Sequence, residues 1–93
     1  MYVILVYDIQ MMDPAGSRVL RKVFKKCKEY LNHIQNSVFE GELSESLVTQ
    51  LKYELKEFIR EDKDSVIFFS SGKEEWLNKD ILGLNKNDFS NLL

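Results

Sequence analysis

The sequence holds one cysteine and one histidine in 93 residues. Cys27 alone cannot close an internal disulfide, and a lone His33 beside a lone thiol leaves no ligand set for a zinc cluster. No apolar run approaches the roughly 18 residues that a membrane-spanning helix needs. The first residues follow an apolar strand pattern with neither a basic leader nor a small-residue cleavage site, which argues against a secretory signal. A cytoplasmic location is the expectation. Internal repeats, low-complexity tracts, a Walker loop, a dinucleotide-binding glycine pattern and a serine-nucleophile motif are all missing. One further absence is local: no acidic residue interrupts the segment from Pro14 to Lys28, although the chain as a whole carries a net charge of −2.

What is present reads as an ordinary globular domain, with 44% hydrophobic and 30% charged residues. A chain this short builds one domain and buries only about 60–70% of the surface it exposes when unfolded. That matters for Tyr2 to Ile9 (YVILVYDI), a strand with apolar residues on both alternating faces that ends in a single carboxylate, Asp8. Both of its faces ask for cover, and a second copy of the chain is the natural source of one.

Asp13-Pro14 marks a turn after this strand, and Gly16-Ser17 offers a helix start through the serine oxygen. The helix is expected to run to about Leu31. At about 100° per residue, Val19, Leu20, Val23, Phe24, Cys27, Tyr30 and Leu31 share one side, and Arg18, Arg21, Lys22, Lys25, Lys26 and Lys28 share the other. His33 to Leu43 reads as a bent or broken strand pair, with Val38-Phe39 its most buried residues. A second amphipathic helix, capped by Ser44, runs to about Arg60 with its acidic residues off the apolar stripe. Ser65 to Ser71 (SVIFFSS) is another strand with large apolar residues on both faces, closed by Gly72. A short last strand is expected within Trp76 to Leu82. This order describes an α+β, ferredoxin-like sandwich: an antiparallel sheet, two helices on one face, and a homodimer through the other face. Residues 1–83 form the domain, and residues 84–93 a tail that docks on a partner.

Two features carry chemistry. Asp8 ends an interior strand, where it is either a substrate-facing carboxylate or a cap for the loop that follows. A two-fold axis near the strand ends would bring two Asp8 carboxylates together. Two such groups cannot both ionise cheaply without a cation between them, and oxygen-only ligands favour Mg2+, or Mn2+, over zinc. The second feature is the basic helix face, either a phosphate-binding strip doubled across a dimer or a solvated surface. Cys27 within the apolar arc reads as a small core residue, and His33 as structural. Tyr7 and Phe39 could stack on bases, but core packing is the commoner role for aromatics on strands.

Four segments in this order and spacing, VILVYDI with Tyr7-Asp8, GSRVLRKVFK at Gly16 to Lys25, QNSVFEG at Gln35 to Gly41 and DSVIFF at Asp64 to Phe69, resemble the Cas-two family. This is the small CRISPR-associated subunit of the spacer-acquisition machinery. The resemblance implies a ferredoxin-like homodimer whose last strand pairs with the partner's sheet, with Asp8 as catalytic and metal-binding aspartate holding Mg2+ (or Mn2+) at the dimer axis. It also implies nucleic-acid contacts by the helix that carries Arg18, Arg21, Lys22, Lys25 and Lys26. The partners it implies are the Cas-one integrase, double-stranded protospacer DNA and single-stranded RNA, and the activities are metal-dependent endonuclease cleavage and an adaptor role in acquisition, with Trp76 to Leu93 docking on the integrase. The Gln10 to Pro14 loop departs from commoner members, and its Asp13 adds negative charge beside the expected site. A related alternative is a toxin-like ribonuclease of the virulence-associated D family, which shares this kind of dimeric fold.

Overall fold

The computed structural model describes residues 1–83; the expected tail, 84–93, lies outside the described residues. In chain order the elements are β1 (Tyr2–Asp8), α1 (Ala15–Tyr30), β2 (Asn32–Gln35), β3 (Val38–Glu42), α2 (Glu45–Lys56) and β4 (Ser65–Ser71), followed by a single 3-10 turn at Glu74–Trp76. The strands form one sheet in the order β2-β3-β1-β4, and every neighbouring pair is antiparallel. With both helices on one face, this is the ferredoxin-like arrangement expected.

Period-two alternation decides which residues go inside. Val3, Leu5 and Tyr7 of β1 face the helices together with Phe39 of β3, and Val19, Val23 and Cys27 of α1 and Val48, Leu51 and Leu55 of α2 close over them. The intervening residues point the other way. Ile4 lies opposite Phe69 and Glu40, and Val6 opposite Ile67 and Val38. Ile67 is 49% and Phe69 56% exposed, so the open face carries an apolar strip. At one end of that face the chain covers itself: Lys79 Nζ donates to both Glu40 carboxylate oxygens at 2.7 Å, and the Tyr2 hydroxyl also donates to Glu40.

Three expectations need correction. The segment before α2 is a complete hairpin rather than a bent or broken strand pair: β2 and β3 are joined by the two-residue turn Asn36-Ser37, with a bulge between His33 and Gln35 absorbing the register shift. Eleven residues suffice because Asn36 adopts a left-handed φ of 38°, which the tightest hairpin turns require and asparagine tolerates. The expected last strand from Trp76 to Leu82 is the 3-10 turn followed by irregular chain among the described residues. Finally, α1 begins at Ala15 after Pro14, two residues before Ser17, since the fixed proline φ already suits a helix start. Ser44 does cap α2, accepting from the Leu47 N–H. Among the described residues no helix is long and apolar enough to cross a membrane.

Candidate nucleic-acid and metal site

Asp8 is the last residue of β1 and sits opposite Ser65, the first residue of β4. It is exposed, on the open face and in line with Val6, so its carboxylate stands at the end of the apolar strip. The residue before it, Tyr7, points to the helix side and is 5% exposed. Ile9 is buried and anchors the chain where the strand ends.

The loop that follows is clamped by charges the sequence reading did not assemble. Asp64, at the foot of β4, accepts the Gln10 N–H at 2.9 Å on one oxygen and the Arg60 N–H at 2.8 Å on the other. The Arg60 guanidinium donates Nε and Nη2 to Asp64, each at 2.9 Å, Nη1 to both Asp13 oxygens at 2.6 and 2.8 Å, and Nη2 to the Gln10 carbonyl at 2.7 Å. Lys63 adds a contact to Asp13 at 2.9 Å, and Asp13 accepts the Gly16 N–H at 2.9 Å. A Cβ on Gly16 would lie 2.3 Å from the Gln10 carbonyl oxygen, so only glycine lets α1 start this close to the loop. Lys63 and Arg60 hold the Asp13 carboxyl down to about 2, and Arg60 holds that of Asp64 down to about 2. Asp13 is therefore a neutralised strut, not the free negative charge expected beside the site. Asp64 and Arg60 form an i,i+4 pair that the sequence displays; their link to Gln10 and Asp13, some fifty residues away, it does not.

Arg18, Arg21, Lys22, Lys25 and Lys28 are exposed on α1, as expected. Lys26 is the exception. Its ammonium lies 3.0 Å from Glu29 and 3.4 Å from Glu54 of α2, whose other oxygen accepts the Tyr30 hydroxyl, so it ties the helices together rather than facing a ligand. Lys22 and Lys28 lie over the rings of Phe58 and Phe24 with their charges 5.8 Å from the centroids, which steadies the stems without neutralising them. Cys27 is fully buried, and burial pushes its thiol up to about 12, in keeping with a core role. His33 packs between Phe24 and Phe39 and its Nε2 lies 2.9 Å from the Asn36 carbonyl, a structural position.

Among the described residues no group of three or more His, Cys, Asp or Glu side chains converges on a point. Among the described residues, Asp8 therefore has no cluster of further His, Cys, Asp or Glu ligands around it. Its carboxylate suits Mg2+ or Mn2+ chemically but is incomplete by itself, since such ions take about six oxygens.

This architecture, a ferredoxin-like sheet with a carboxylate at the end of its central strand and a basic first helix, has close counterparts. The family described as CRISPR associated protein Cas2 matches residues 1–79. The chain is 55% identical over 93 residues to a protein of Fusobacterium nucleatum named CRISPR-associated endoribonuclease Cas2, covering all of this chain and 87% of the relative. It is 42% identical to a protein of that name from Methanosarcina acetivorans, with both chains covered end to end. The crystal structure of Streptococcus pyogenes Cas2 at pH 6.5 superposes with a TM-score of 0.79 at 36% identity, covering 89% of this chain and all of that one. The chain belongs to the Cas2 family.

Proposed function

We propose that the chain is a CRISPR adaptation subunit that works as a homodimer, joined through the open sheet face, and binds nucleic acid along α1. The observation that carries this reading is the placement of Asp8 at the exposed end of an apolar strip formed by Val6, Ile67 and Phe69. Covering that strip with a second copy stabilises the dimer by apolar burial and carries the partner's Asp8 toward this one. Two carboxylates then supply oxygen donors for Mg2+, or Mn2+, that one chain lacks. A divalent cation there would supply charge neutralisation and Lewis-acid polarisation of a phosphodiester, in keeping with the endoribonuclease names of the relatives. The protein's own contribution is to fix Asp8: the strand register sets it opposite Ser65, and the Arg60–Asp64 clamp holds the backbone at Gln10.

The five exposed cations of α1 face solvent as a strip that can track phosphates, and a dimer doubles it. Such a platform suits protospacer duplex DNA, with the Cas-one integrase as its partner; RNA is the substrate the relatives' names favour. The family match over residues 1–79 favours this reading over a toxin-like ribonuclease of the virulence-associated D family. The test is charge reversal of Arg18, Arg21 and Lys25 to Glu in one variant, followed by duplex binding and integration assays with the integrase. Loss of duplex retention and of integration is expected; unchanged integration would refute the role of this face.

A further inference from the structure

We propose that a cleft between α1 and the β2–β3 turn receives one unpaired nucleobase of a single-stranded nucleic acid. The inference rests on the nucleic-acid reading above and narrows it to a subsite and a strand type. The cleft measures about 500 Å3, the scale of small-ligand pockets, and is lined by Tyr7, Leu20, Arg21, Phe24, Asn36 and Ser37. Tyr7, Leu20 and Phe24 give it an apolar floor, and the other three bring a guanidinium, an amide and a hydroxyl.

The polar groups are uncommitted. Tyr7 is 5% exposed, yet among the described residues its hydroxyl meets no hydrogen-bond partner. No fully buried side-chain oxygen or nitrogen goes unpaired among those residues, so this hydroxyl keeps an opening, and the cleft is the space that Tyr7 lines. A tyrosine buried to this extent ordinarily spends its oxygen on a protein partner. The Arg21 guanidinium forms no ion pair among the described residues, whereas Lys26, five residues further along α1, is held by two glutamates.

A nucleobase has this chemistry: a flat apolar face, a polar edge, and a phosphate attached at a fixed reach. Arg21 stands at the rim for that phosphate, and Arg18 and Lys25, on the same exposed face of α1, continue the positive track for the neighbouring ones. A duplex keeps its bases stacked inside and cannot fill the floor. Tyr7 and Asp8 are successive residues on opposite faces of the sheet, about 3.8 Å apart at Cα, so the cleft and the candidate carboxylate lie at the same end of β1.

The full-length protein should be titrated by fluorescence anisotropy with three labelled ligands of equal length: a single strand, the same strand with abasic residues at its centre, and the duplex. The abasic strand is expected to bind about tenfold more weakly than the intact one, the scale of one lost base contact. Tyr7→Phe keeps the ring and Asn36→Gly suits the left-handed turn, so both variants fold. Each should weaken binding of the intact strand about threefold or more while leaving the abasic strand unchanged. Arg18→Gln, outside the cleft, should weaken all three ligands. Equal binding of intact and abasic strands, or no effect of Tyr7→Phe and Asn36→Gly, overturns the base subsite; if the duplex still binds and still depends on Arg18, the broader nucleic-acid reading survives. If no ligand binds, both fall.

Discussion

Replacing Asp64 with alanine removes the carboxylate at the centre of the clamp behind Asp8. Its side chain has no exposed surface and accepts hydrogen bonds from the backbone of Gln10 and Arg60 and from the Arg60 guanidinium. Breaking a buried charge pair from one side costs about 3–5 kcal/mol. Here Arg60 is 19% exposed and keeps Asp13 and the Gln10 carbonyl as partners, so the lower end applies, about 3 kcal/mol. For a domain of this size that is a fall of about 12–24 °C in Tm. The pH dependence has a defined sign. The folded-state pKa of Asp64, about 2, lies below the ordinary 3.8, so the stability it contributes is present above about pH 4 and is lost as pH falls toward 2. Urea unfolding of wild type and Asp64→Ala at equal protein concentration, at pH 7 and at pH 3, should show a gap of about 3 kcal/mol that narrows in acid. Lys63→Ala is the control: Asp13 keeps Arg60, Lys63 is 39% exposed, and the expected cost is about 0–1 kcal/mol. An Asp64→Ala protein within about 0.5 kcal/mol of wild type at pH 7, a surface-substitution result, would refute the reasoning.

Gly16→Ala should destabilise the fold by about 1–3 kcal/mol, because the new methyl meets the Gln10 backbone 2.3 Å away and neither side is a flexible side chain; a variant as stable as wild type in thermal melts would show that α1 and the loop are not in close contact. Ile67→Glu with Phe69→Glu places charge on residues already half exposed, so each chain should keep its fold while the protein elutes as a monomer in light-scattering chromatography at concentrations where the proposed wild-type dimer is expected. A variant that still dimerises would move the interface elsewhere.

The pattern in YVILVYDI was enough to read an interior strand, both faces of the sheet and the position of Asp8 at a strand end, because a period of two converts directly into facing; SVIFFSS carries the same pattern and was expected to be interior as well, but it lies at the sheet edge, paired only with β1 among the described residues. The spacing of Val19, Val23 and Cys27 likewise gave the buried side of α1. The hairpin was harder. Its signal is one asparagine in a left-handed turn, and Asn-Ser is a weaker hairpin marker than Asn-Gly. Lys26 looked like its neighbours because its partner Glu54 arrives on another helix, and helix periodicity carries no information about the helix that packs alongside. For the same reason Asp13 read as a stray negative charge, since Arg60 and Lys63 reach it only once β4 lies beside β1. The segment from Trp76 to Leu82 has apolar residues but no partner strand among the described residues, and strand formation depends on such a partner.

The shared placement of two Asp8 side chains is tested most directly by counting bound Mn2+ by electron paramagnetic resonance, with the oligomeric state measured in the same sample. One ion per two chains is expected, lost in Asp8→Ala while the dimer persists. One ion per chain, or binding that Asp8→Ala leaves unchanged, would contradict it.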